Sequence, residues 1–115
     1  MIGAAELLGY SRRLLDEEPV TGQNARLAAV LTRQALEAIV DRRCTDIAPG
    51  VEDASMKVRL IVLYALAPDD ESIRKLDYAW GRLSSACHHH AYELSPTVTE
   101  IRGLCESVAG VLTSG

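Results

Sequence analysis

Ser55-Met56-Lys57-Val58-Arg59-Leu60-Ile61-Val62-Leu63-Tyr64-Ala65-Leu66-Ala67 is the stretch on which the fold turns. From Val58 to Leu66 it is apolar on every side apart from Arg59, a pattern that a buried strand and a buried helix share. Length decides between them. The run exceeds ten residues, longer than most strands, and no second strand offers itself for pairing. Asp53 or Ser55 can cap a helix that begins here. The segment reads as helix, and the chain becomes all-α. An apolar surface on nearly all sides is more than a small bundle can cover, so a homodimer is expected.

Downstream, Pro68-Asp69-Asp70 ends this helix and starts the next, which is predicted from about Glu71 to Glu93. Its seam is Ile73, Leu76, Trp80, Leu83 and Cys87, at alternating steps of three and four residues. Ser95-Pro96 breaks it. Thr97 with Glu100 makes a capping box for a last helix, Val98 to about Leu112. Ile101, Leu104, Cys105, Val108 and Leu112 form its stripe. Upstream, the Thr21-Gly22-Gln23-Asn24 caps open a long helix from about Gln23 to Cys44, closed by the Pro49-Gly50 loop. Leu27, Val30, Leu31, Ala35, Ala38 and Ile39 are its expected core stripe. Arg26, Arg33, Glu37 and Asp41 are expected to face away, with Arg33 and Glu37 as an i,i+4 pair. Ala28, Ala29, Ala35 and Ala38 would admit a close neighbour. A first helix spans roughly Ala4 to Glu17 around Leu7, Leu8, Leu14 and Leu15. Asp16-Glu17-Glu18 and Pro19 end it, and its acidic end opposes the helix dipole, so fraying is expected there. The expected architecture is one domain over residues 1–115, an antiparallel four- to five-helix up-and-down bundle.

The chain is 48% hydrophobic and 24% charged, which fits a globular domain rather than a disordered chain. Aromatic residues are only 4%, without Phe, so the core must come from Leu, Ala, Val and Ile. The net charge of −4 argues against a broad basic face for duplex nucleic acid, though not against a local phosphate site. Cys44, Cys87 and Cys105 are odd in number and match no zinc spacing or CxxC, which suggests a reducing compartment, the cytoplasm. The N-terminus has no basic region of the signal-peptide kind, and no apolar run is long enough to span a membrane. No phosphate-cradling glycine loop is present, and no cofactor is expected.

All three histidines are adjacent: His88, His89 and His90. Trp80, Arg82, Ser84, Ser85, Tyr92 and Glu93 surround them. Successive helical residues point about 100° apart, so three consecutive histidines cannot all face one ion on a continuous helix. His89 with Glu93 is the best metal pair, and is only half a site. Acid–base and phosphate chemistry suits the stretch better. Imidazole titrates near neutrality, and arginine can hold a phosphate. Arg82 and His89 lie two turns apart on one helix face, whereas His88 is rotated about 120° from Arg82. His88 becomes the partner if the last turn bends or unwinds. Tyr92 follows His88 by four residues and Glu93 follows His89 by four, so either could orient an imidazole; Tyr92 could also contact phosphate or a base. The plain structural alternative is a packed core histidine with two solvated neighbours, and Trp80 and Leu83 in the core by spacing.

The run Arg82-Leu83-Ser84-Ser85-Ala86-Cys87-His88-His89, Arg followed after a short gap by His in a small helical chain, resembles the HEPN superfamily. That resemblance implies a helical bundle that commonly dimerises. In catalytic members, Arg and His of both chains meet in a cleft and cleave RNA without metal, often in toxin–antitoxin or phage-defence systems. Carried over, Arg82 would bind the scissile phosphate, and His88 or His89 would exchange a proton with the ribose hydroxyl or the leaving oxygen. Tyr92 and Glu93 would line the substrate site. The resemblance also admits a non-catalytic member that binds a cognate partner protein or a nucleotide.

Overall fold

The computed structural model describes residues 3–51, 53–87 and 97–113, and these form five helices with no strand among the described residues. They are α1 (Ala4–Leu15), α2 (Gly22–Ile47), α3 (Met56–Leu66), α4 (Glu71–Cys87) and α5 (Val98–Thr113). Helix starts follow the capping chemistry expected of them. Thr21 Oγ1 accepts from the Asn24 amide at 3.0 Å, and Ser55 Oγ accepts from Val58 at 3.2 Å. Asp70 Oδ1 takes the Ser72 amide at the start of α4. Thr97 Oγ1 takes the Glu100 amide at the start of α5. Gly50, the turn residue after α2, sits at φ 105°, where a side chain would be strained.

Helices adjacent in sequence pack on one another, and the longest, α2, touches all the others. That centrality explains one departure from the sequence reading. The residues of α2 that are buried are Ala25, Ala28, Ala29, Thr32, Ala35, Leu36, Ile39, Val40 and Cys44. Leu27 is 46% exposed, Ala38 is exposed, and Val30 and Leu31 are only half-buried. The stripe is rotated toward the smallest residues, because small side chains let α1 and α5 approach the α2 backbone closely. Ser11 of α1 comes near enough to donate to the Ala28 carbonyl at 2.9 Å, and Thr32 donates to Ser11 Oγ at 3.0 Å. Both hydroxyls are fully buried and satisfied. Ser11, not Leu14, joins Leu7, Leu8 and Leu15 on the buried face of α1.

The remaining core comes from Ile73, Leu76, Ala79 and Leu83 of α4 and from Ile101, Leu104, Cys105, Val108 and Val111 of α5. Each large aliphatic side chain buried this fully contributes about 1.5–3 kcal/mol. Trp80 and Cys87 are half-buried flanks of the α4 seam rather than its centre. Val111 takes the inward place expected of Leu112, which is 36% exposed at the rim of the bundle. The acidic end of α1 gains a cation from far along the chain. Arg102 donates to the Leu15 carbonyl at 2.7 Å, satisfying a group that the helix leaves unpaired. Beside it, Arg12 and Glu106 pair through Nε–Oε1 at 2.9 Å.

The segment whose helix-or-strand reading decided the fold is helical, with Met56, Leu60 and Leu63 turned inward. Its other side is open. Val58, Ile61 and Leu66 are 45%, 58% and 57% exposed.

Candidate functional site

Arg82 lies near the end of α4, on the flank that faces α5. Glu100 stands in the first turn of α5, its amide held by Thr97. The two side chains meet as a fork: Arg82 Nε donates to Glu100 Oε1 at 2.5 Å, and Nη2 donates to Oε2 at 3.0 Å. The capping box is therefore half made. Thr97 does its part, while the Glu100 carboxylate turns to Arg82. This arrangement is only about one-third open to solvent. The hydrogen bond from Arg82 holds the Glu100 carboxyl below its ordinary range, against the opposing effect of burial.

An arginine clamped in this way is a poor phosphate ligand until the clamp opens. A bidentate carboxylate occupies the same planar fork that a phosphate would use. An incoming RNA phosphate must displace Glu100 and leave a half-buried carboxylate without its cation. By sequence Glu100 reads only as a capping residue, and its pairing with Arg82 is not among the expectations. The available signal was topological: consecutive antiparallel helices bring the end of α4 beside the start of α5.

Of the expected site residues, Arg82 is placed, and the structure joins it to Glu100. His88, His89, Tyr92 and Glu93 lie outside the described residues, and so does the expected extension of α4 from Cys87 to Glu93. The candidate metal pair His89 and Glu93 falls there too. Among the described residues, no group of three or more His, Cys, Asp or Glu could hold a metal ion.

The α2–α4 contact on the other flank of α4 carries an unusual feature. Arg33 of α2 stacks over the Trp80 ring at 5.8 Å and sits 3.8 Å from Glu37, the expected i,i+4 pair. Arg33 Nε, Trp80 Nε1 and Ser84 Oγ are all buried without a hydrogen-bond partner. Trp80 and Ser84 are one turn apart on one face of α4. Leaving such donors unsatisfied costs stability. Arg33, expected to face away, is thus drawn partly inward by the indole.

Surface concavities are found away from Arg82. One is bounded by Asp16, Glu17, Glu18 and Arg102, between the end of α1 and the start of α5. Another has an apolar floor of Ile39, Val111 and Leu112 with Arg42, Arg43 and Asp46 at its edge. In the latter, Arg43 is held by Asp70 and Ser72, at 3.2 and 2.6 Å. Cys44 and Cys105 are buried and in no disulfide, and burial pushes the Cys105 thiol up from its ordinary value. No helix among the described residues is long and apolar enough to cross a membrane.

No protein-family model, curated protein or solved structure matches this chain.

Proposed function

We propose that this chain is a non-catalytic helical-bundle module that works by association, with a second copy of itself and through that dimer with a cognate partner protein. One observation carries the reading: α3 presents Val58, Ile61 and Leu66 to solvent, whereas Arg82 is already engaged by Glu100. Contiguous exposed apolar surface marks interaction sites. Cysteines outside any disulfide suit a reducing compartment, so the cytoplasm is the proposed location.

A second reading follows the HEPN resemblance: a metal-independent ribonuclease of toxin or defence type, its Arg/His site completed by dimerisation. The position of Arg82 favours it, on a surface flank of α4 shortly before His88 and His89 in sequence. This reading requires Glu100 to release Arg82 when RNA arrives.

One assay separates the two. RNA is incubated with the wild-type protein, Arg82→Ala and His88→Ala/His89→Ala, all in the presence of chelator. The association reading expects no cleavage above a mock preparation from any of the three. Cleavage by the wild type that disappears in both variants, with their circular dichroism intact, sinks it and establishes the ribonuclease. A Glu100→Gln variant sharpens the result, since loosening the clamp raises cleavage only if Arg82 acts on phosphate.

A further inference from the structure

We draw no further inference here: the strongest candidate, the concavity between the ends of α2 and α5 with Arg42 at its edge and Ile39, Val111 and Leu112 as its floor, carries nothing, because Arg43 on the same rim is already held by Asp70 and Ser72 and nothing in the structure shows what fills it.

Discussion

α2 and α3 are neighbours built on opposite terms. α2 surrenders its larger residue Leu27 to solvent and buries alanines; α3 is apolar but for Lys57 and Arg59 and buries only its inward side. Hydrophobicity does not explain the contrast, because α3 is the more apolar helix. The number of neighbouring helices does. α2 touches all four other helices, so its inward positions are chosen for how closely a second backbone can come. α3 lies at the edge of the bundle against two helices, and no other described helix packs on its remaining face. Burial at the centre is limited by space, and at the edge by the supply of partners.

The sharpest way to break this comparison is to enlarge the centre. Ala28→Leu places a branched side chain where the residue is fully buried and Ser11 reaches its carbonyl. It should cost about 1–3 kcal/mol, or block folding outright, read as a fall in the urea midpoint. Thr32→Val removes one buried hydrogen bond to Ser11 while keeping the shape, and should cost about 1 kcal/mol by the same measurement. Glu100→Gln loosens the α4–α5 clamp and should cost about 0.5–1 kcal/mol at neutral pH. Its pH dependence has a defined sign. The Glu100 carboxyl lies below its ordinary range in the folded chain, chiefly through the Arg82 hydrogen bond. Its contribution is therefore complete above that range and is lost as pH falls through the lowered folded value. Thermal melts below the ordinary carboxylate range should show wild type and Glu100→Gln converging. At the bundle edge, Leu27→Lys and Ile61→Lys should each change monomer stability by no more than about 0.5 kcal/mol, because both side chains already face water. Ser84→Ala should be neutral or slightly stabilising, since it removes a buried hydroxyl that bonds nothing.

The elements themselves were legible because local signals carried them. Thr21, Ser55 and Thr97 cap the helices they were expected to cap, and the apolar run through Ile61 is helical. The Ile73–Leu76–Leu83 seam faces the core as its spacing required. What stayed hidden depends on pairs distant in the chain. The rotation of α2 follows from where α1 and α5 sit, which periodicity within α2 cannot report. The cation that closes α1 is Arg102, far along the chain, so the expected fraying had no local remedy to read. At the candidate site, Arg82 was chosen for its chemistry and lies on an accessible flank, but its engagement by Glu100 belongs to the α4–α5 contact. Sequence chemistry nominates a side chain; a partner on another helix decides whether it is available.

Arg102 on Leu15 and Arg12 on Glu106 together set the direction in which α5 runs beside α1. The end of α1 lies against the beginning of α5, so the beginning of α1 and the end of α5 emerge at the same end of the bundle. A short flexible linker could join them, and new termini could be opened in the exposed Pro49-Gly50 turn between α2 and α3. Such a circular permutant keeps every helix and every contact of the bundle while leaving α3 as the first element of the chain.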